Sequence, residues 1–441
     1  MLPDLMKKYE VVIVSSPGPE MDEVREKYGV KTIAVPMERH ISLRHDLVSL
    51  WRMIQVFRKE KPDMVHSMTP KAGLMCMMAA WLTRVPVRIH TFTGLVFPTS
   101  TGLKRRILMA TDAITCWCAT HVIPEGEGVK ADLRNHRITH KPLKVLGYGN
   151  VMGVDMKRFD PKRFNDNVNP NDNKPNDRSA LPLCTFRSKN VNLLREERGV
   201  TEELRTLNSP TDSTLYTLHS TLKTFRFLFV GRIVRDKGIN ELMAAFQRLN
   251  KKYPETELVL VGAYEDSLDP VSDETRRIIM ENPAIHHVGV KIGDDLVAQY
   301  AAADCFVFPS YREGFPNTVL EAGAMGLPCI VTDINGSREI VCDNFTNDND
   351  NDNENYSESE NIQGDSQLRL ALTLTLKKNG IIIPPKDEEA LYEAMERMVT
   401  DEEMRERMAA NARPLIAERF EQGFVRRCLY EFYEEISHRN H

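Results

Sequence analysis

Along the first 120 residues the apolar positions switch repeatedly between two periods. Short β-rich apolar runs stand at residues 10–16, 31–36, 63–68 and 87–92, each bounded by polar or turn-forming residues and too short for a helix. Helical patterns lie between and after them, at 21–29, 42–61, 73–83 and 102–118. In the 42–61 stretch Leu43, Leu47, Leu50, Ile54 and Phe57 keep helical spacing, which predicts one buried face. A second series runs strand 226–232, helix 239–253, strand 257–262, helix 272–282, strand 285–290, helix 294–303, strand 303–310, helix 317–325 and strand 328–333, and the chain closes in helical pattern from 387 to 438. This alternation predicts an α/β protein with two parallel, helix-flanked sheets.

Two tracts interrupt the pattern. Residues 165–223 open with NDNVNPNDNKPND, and residues 344–378 contain NDNDNDNENYSESEN. Such composition cannot bury enough apolar surface to offset chain entropy, so both are expected to be disordered polar inserts, with helical character recurring at 191–204. The predicted division is 1–164, an insert or linker at 165–223, a second domain at 224–412 carrying the 344–378 insert, and a final helix at 413–441 that packs back on the first domain.

Composition narrows this little, but charge does. The 441-residue chain has net charge −5, yet residues 1–160 carry 24 Lys and Arg against 16 Asp and Glu, a net +8. A basic first half suits an anionic partner such as a membrane surface or a lipid diphosphate; no nucleic-acid partner is expected. The helix at 102–118, GLKRRILMATDAITCWC, reads as a core helix with a solvated basic start, or as a segment that docks on an anionic membrane. Eight cysteines without a CxxC pair look like free thiols of a reducing compartment, and no apolar run reaches the length of a membrane span. The expected location is the cytoplasm, with peripheral contact at the inner face of the plasma membrane.

Candidate chemistry sits in EGFPNTVLEAGAMGLP, residues 313–328. The strand–loop–helix–strand context puts this loop at the carboxyl edge of a parallel sheet, where such sheets bind ligands. A helix beginning at Pro316 or Asn317 presents unpaired N–H groups to a phosphate, and Glu313 and Glu321 are acceptors suited to hydroxyls around it. FVGRIVRDKGIN, residues 229–240, places Gly231, Arg232 and Lys237 at the end of another strand, where two cations suit a diphosphate. Alone, each charge is more often a solvated surface residue; a shared sheet edge reverses that preference.

These residues, together with HHVGV, ADCFVFPSYREGFPNTVLEAGAMGLPCIVTDINGSREIV and NGIIIPPKDEEALYEAMERM, resemble the retaining family 4 glycosyltransferases of the GT-B fold. VSSPGPE, IAVPMERHISL, KPDMVHSMTPKAGL and VPVRIHTFTGL are similar to the subset that builds bacterial surface polysaccharides on a lipid carrier. The resemblance implies two Rossmann-like domains facing a cleft, residues 1–164 on the acceptor side and 224–412 binding a nucleotide sugar, UDP-linked. It implies that Arg232 and Lys237 clamp the donor diphosphate, that Glu321 holds ribose hydroxyls and Glu313 a sugar hydroxyl, and that the backbone from Gly314 through Phe315, Pro316, Asn317 and Thr318 receives the distal phosphate and sugar. His90 matches the position that faces the donor sugar from the first domain. No metal or other cofactor is implied, and the acceptor would be a polyprenyl-diphosphate-linked or growing saccharide.

One feature departs from the family. Residues 1–9, MLPDLMKKY, look like the tail of the helix that should follow a first strand and its Gly-containing loop, so that strand is expected to be missing and the chain poorly stable or weakly active. Two other readings stay open: a nucleotide-sugar 2-epimerase of the same architecture, and a nucleotide-sugar-binding remnant without turnover.

Overall fold

The apolar runs become strands, with trimmed ends. The computed structural model describes residues 2–37, 43–164, 224–266, 269–342 and 374–438. The first half runs α1 (Leu2–Leu5), β1 (Val12–Ser15), α2 (Pro19–Tyr28), β2 (Lys31–Ala34), α3 (Leu43–Glu60), β3 (Met64–Ser67), α4 (Pro70–Leu82), β4 (Val87–Phe92), α5 (Gly102–Cys118), β5 (His121–Pro124) and α6 (Glu127–Asn135). The second half runs β6 (Phe225–Val230), α7 (Ile239–Lys252), β7 (Thr256–Val261), α8 (Asp273–Glu281), β8 (Ile285–His287), α9 (Gly293–Ala301), β9 (Cys305–Phe308), α10 (Asn317–Ala324), β10 (Cys329–Thr332), α11 (Ser337–Ile340), β11 (Thr375–Lys377), β12 (Gly380–Ile383), α12 (Glu388–Thr400), α13 (Glu402–Phe420) and α14 (Gln422–His438). The 165–223 insert with its 191–204 helix, and residues 343–373 of the second insert, lie outside the described residues.

The second half is one seven-stranded sheet, ordered β11-β12-β10-β9-β6-β7-β8, parallel except for β11. Its central strands read as unbroken apolar runs because both faces are covered by helices: all of Cys305–Phe308 and Cys329–Thr332 is buried. In the first half β1 pairs with β2, while β3, β4 and β5 form a separate parallel sheet. Phe57, Val65, Met77, Phe92 and Val122 share its core, with Val14 and Val35 against them.

The chain passes between the halves at two adjacent points. Val154 donates to the Phe420 carbonyl at 2.8 Å and accepts from Gln422 at 3.0 Å, and a Cβ on Gly153 would lie 2.6 Å from the Gln422 Cα. Helix α14 then lays Leu429, Phe432, Tyr433 and Ile436 on Val87, Ile89, Ile123 and Leu146 of the first half.

Three sequence expectations need correction. Leu47 does not belong to the buried face of α3; it is exposed, and the face turns instead through Ser49, Met53 and Phe57. The hydroxyl of Ser49 reaches the Pro36 carbonyl at 2.6 Å, so a polar side chain is satisfied where apolar counting sees a break. The Leu43 side chain lies outside the described residues. Residues 375–377 were expected inside an insert but form β11, a hairpin on β12 with Lys378 and Asn379 at its turn; the buried Asn379 side chain donates to the Ile340 carbonyl at 3.0 Å. Finally, residue 413 lies within α13, and the segment that reaches the first half starts at Gln422.

Candidate functional site

Strands β6 and β9 are neighbours, so the loops that leave their carboxyl ends share one edge. After β6 come Gly231 and Arg232, then a short 3-10 turn, Arg235–Lys237, closed by Gly238 in the left-handed region (φ 70°). A Cβ there would meet the Pro309 carbonyl at 2.1 Å, so glycine lets the two loops touch. Lys237 forms an ion pair with Glu313, and both side chains are largely buried. Glu313 also accepts from the Ser310 hydroxyl at 2.7 Å. Arg232 stands half-exposed and pairs with Glu265; burial acts against its charge, and the Glu265 carboxylate more than restores it.

Pro316 is the residue before α10, with extended backbone (φ −74°, ψ 108°), so Asn317 begins the helix. No side chain of Pro316 caps the end, and the helix begins in the loop that leaves β9 at the sheet edge carrying Lys237. Glu321, one turn in, accepts from the buried Tyr300 hydroxyl at 2.8 Å; desolvation raises its carboxyl pKa, and that hydrogen bond opposes the rise. The Tyr300 hydroxyl also reaches the Thr318 carbonyl at 3.3 Å. Phe315 is not at the surface: its ring packs on Phe420 with centroids 5.3 Å apart.

The other half closes against this edge. A Cβ on Gly314 would lie 1.9 Å from the Thr93 carbonyl, so the loop after β4 rests directly on the Glu313–Gly314 turn. Asn150 donates to the Asn317 side chain at 3.0 Å, and Asn335 to Asp132 at 2.7 Å. His90, three residues before Thr93, is buried; its Nδ1 lies 2.8 Å from the Ser67 hydroxyl, and its ring meets Phe92 edge-on. Burial pulls its pKa down to about 4, so the imidazole is neutral at pH 7. Glu125, at the end of β5, is also buried, which raises its pKa to about 8; the Val151 N–H opposes this, and the Glu339 and Glu313 carboxylates add to it.

Two family models match the chain: "Glycosyl transferase 4-like domain" over residues 6–149 and "Glycosyl transferases group 1" over residues 218–355. The chain is a GT-B glycosyltransferase. It is 28% identical over 428 residues to the capsular polysaccharide biosynthesis glycosyltransferase CapM of Staphylococcus aureus, covering 97% of this chain and 90% of the relative. It is 25% identical over 340 residues to the UDP-Gal:alpha-D-GlcNAc-diphosphoundecaprenol alpha-1,3-galactosyltransferase of Escherichia coli, covering 76% and 74%. Among solved structures, HepE of Anabaena in complex with UDP superposes with TM-score 0.63 at 15% identity over 98% of this chain and 95% of that one. WaaG, a glycosyltransferase of lipopolysaccharide biosynthesis, gives TM-score 0.58 at 13% identity over 97% and 92%. At these identities the two structures establish the fold.

The glycosyltransferase thus brings Gly231, Arg232, Lys237, Glu313, Gly314, Asn317, Thr318 and Glu321 to one sheet edge, with the strand of His90 against it. Sequence reading missed Ser310, Tyr300, Glu265 and Glu125. Ser310 and Glu125 follow apolar runs directly, a position that signals a strand's carboxyl end; Tyr300 and Glu265 lack any local signal, because only the sheet brings them near Glu321 and Arg232.

Proposed function

We propose that this glycosyltransferase is a retaining enzyme of family 4 that moves a hexose or N-acetylhexosamine from a UDP-sugar to a polyprenyl-diphosphate-linked or growing polysaccharide acceptor, in the synthesis of capsule, O-antigen or exopolysaccharide. The observation that carries this reading is the Lys237–Glu313 pair, a cation and a carboxylate set side by side next to the start of α10 and beneath the loop from the other half. The names of the relatives supply the rest: CapM acts in capsule synthesis, and the Escherichia coli relative pairs a UDP-sugar with a diphosphoundecaprenol acceptor.

In this reading the second half, from residue 224 through α13, holds the donor, residues 1–164 face the acceptor, and α14, from Gln422, ties the two together. Arg232 and Lys237 turn from their present carboxylates to the donor diphosphate, over Gly231. Glu321 takes ribose hydroxyls and Glu313 a sugar hydroxyl. The N–H groups of Phe315, Asn317 and Thr318 receive the distal phosphate, with Gly314 and Pro316 shaping the turn, and neutral His90 meets the sugar from the other side. The C1–oxygen bond to the diphosphate breaks as the acceptor oxygen bonds to the same face of C1, and the acceptor proton passes to the departing phosphate oxygen. Fixed cations and a helix start stabilise the negative charge that builds on that phosphate. A polyprenyl acceptor lies in a membrane, so the enzyme works from the cytoplasm at its inner face.

Calorimetric titration of UDP into the chain and into Glu321→Ala tests the donor site. Binding that the substitution weakens at least tenfold, with UDP release from a UDP-sugar only when a lipid-linked acceptor is added, supports the reading. Equal UDP binding by both proteins would remove Glu321 from the donor site, and conversion of UDP-N-acetylglucosamine without acceptor would replace transfer by epimerisation.

A further inference from the structure

Strand β7 pairs with β6, so the loop that leaves β7 lies beside the turn that carries Arg232 and Lys237. A Cβ on Gly262 (φ 149°) would stand 1.8 Å from the Gly231 carbonyl, and glycine lets the two loops touch there. Ile233 donates to the Ala263 carbonyl at 2.8 Å. The Tyr264 ring meets His287 edge-on with centroids 5.0 Å apart, and the Arg276 guanidinium lies 4.7 Å from its centroid. These contacts fix the backbone that enters Glu265, which leaves its side chain as the part free to move.

Two acids of this loop reach the β6 turn, and they do different things. Asp269 accepts the Asp236 N–H at 2.7 Å and pairs with Arg235 at 2.8 Å, so it holds the backbone of the turn. Glu265 holds no backbone: among the described residues its carboxylate has the Arg232 guanidinium as its one partner. That pair is open to water, with side chains 51% and 21% exposed, against 13% and 17% for Lys237 and Glu313. An exposed ion pair is weak and readily exchanged, whereas a desolvated one resists separation. Arg232 is therefore the cation that changes partner most easily. A diphosphate offers its planar fork several charged oxygens where Glu265 offers one carboxylate. The displaced carboxylate stays tethered beside the guanidinium, so it competes at high effective concentration for as long as the diphosphate is bound.

We propose that Glu265 is a competing carboxylate that limits how tightly the enzyme holds a nucleoside diphosphate, reclaiming Arg232 as UDP departs and so speeding product release. The inference rests on the reading of Arg232 as a diphosphate ligand and adds the residue that opposes it. A carboxylate that merely held Arg232 in place would act in the opposite direction, and the sign of one substitution separates the two.

UDP and uridine are titrated calorimetrically into the chain, Glu265→Gln, Arg232→Ala and the double variant, with stopped-flow displacement for the rate of UDP release. Glutamine keeps the size and an acceptor oxygen and removes the charge. Glu265→Gln should bind UDP about three- to fivefold tighter, the scale of one exposed ion pair, and release it more slowly by a similar factor. UDP should then inhibit turnover at a correspondingly lower concentration. Uridine, which lacks the phosphates, should bind both proteins alike. Glu265→Asp, which keeps the charge but shortens the reach, should tighten UDP in part. The gain should vanish in the Arg232→Ala background, since the two residues act on one contact. If Arg232→Ala weakens UDP binding while Glu265→Gln leaves it equal or weaker, the proposal is overturned and Glu265 is a support for Arg232. If Arg232→Ala binds UDP as the wild type does, the diphosphate reading of Arg232 fails and takes this inference with it.

Discussion

The carboxylate of Glu339, on α11 of the second half, accepts the backbone N–H of Glu127 at 2.8 Å, where α6 of the first half begins. It takes the Gly128 N–H as well, at 3.1 Å, and thus caps a helix that belongs to the other half of the chain. A Cβ on Gly126 would lie 2.5 Å from this carboxylate, so the approach depends on glycine. Glu339→Ala should cost about 1 kcal/mol in denaturant titration, the usual worth of a helix cap. It should also enlarge the radius of gyration in small-angle scattering, because the two halves lose a tie. An unchanged radius would leave the closed cleft to the Asn150–Asn317 and Asn335–Asp132 contacts.

Lys237→Ala should lower the transfer rate by about 10²-fold or more, because a cation that meets the departing diphosphate acts where charge develops. It should also destabilise the chain, since Glu313 keeps Ser310 but loses its cation in a largely buried setting. Steady-state kinetics beside thermal denaturation separates the two effects. Transfer at the wild-type rate by the alanine variant would take Lys237 out of the leaving-group site.

Removing one hydroxyl tests the support of Glu321. Tyr300→Phe keeps the buried ring and deletes the 2.8 Å hydrogen bond. UDP affinity should fall by roughly three- to tenfold, in line with about 1 kcal/mol for one such bond, with little change in fold. Calorimetry measures it.

Acid should destabilise the first half through two histidines. Burial holds His66 at about 3 and His90 at about 4; His66 lies between the Tyr433 hydroxyl at 2.5 Å and the Thr91 hydroxyl at 2.7 Å. Both folded-state values lie below the unfolded value near 6.5, so the unfolded chain binds protons first. The stability they contribute is complete above pH 6.5 and is lost as pH falls from there toward 4, on the order of 3 kcal/mol for His90 alone. Glu125 has the opposite sign: its value of about 8 is raised, so stability falls as pH rises from about 4.5 to 8. Denaturant midpoints from pH 4.5 to 8.5, with Glu125→Gln flattening the alkaline side, check both slopes.

Gly73→Ala should impair turnover without touching the sheet edge. The Cβ would meet His90 Cε1 at 2.3 Å and Nδ1 at 2.8 Å, so the ring must leave its Ser67 partner. The expected result is a fall in kcat larger than any change in UDP affinity, with a shifted His90 resonance in NMR. An unmoved resonance would show that α4 yields instead.

How far the site could be read in advance follows from what local pattern encodes. Arg232, Lys237, Glu313 and Glu321 were legible because each stands at a fixed offset from a buried strand, and parallel connection puts such offsets on one edge. Residues 375–377 were missed although leucine at every second position from Leu368 to Leu376 is a strand signal, because the polar tract before it dominated the reading of the segment; the pairing with Gly380–Ile383 needed the structure. Leu47 was misread because helical spacing says that apolar residues share a side and leaves open which side another helix covers.

The sequence by itself determined the two α/β halves, their strands and helices, and the charged residues at the carboxyl ends of β6 and β9. Those are properties of short stretches, set by period, glycine and the chemistry of each side chain. Only the tertiary structure decided that Lys237 answers Glu313, that Tyr300 holds Glu321, that Glu339 caps a helix more than 200 residues earlier in the chain, and that Trp51, Trp81 and Trp117 are all left exposed. The reason is physical: burial and pairing between distant segments depend on how whole elements pack, and no period within one element records which neighbour it will meet.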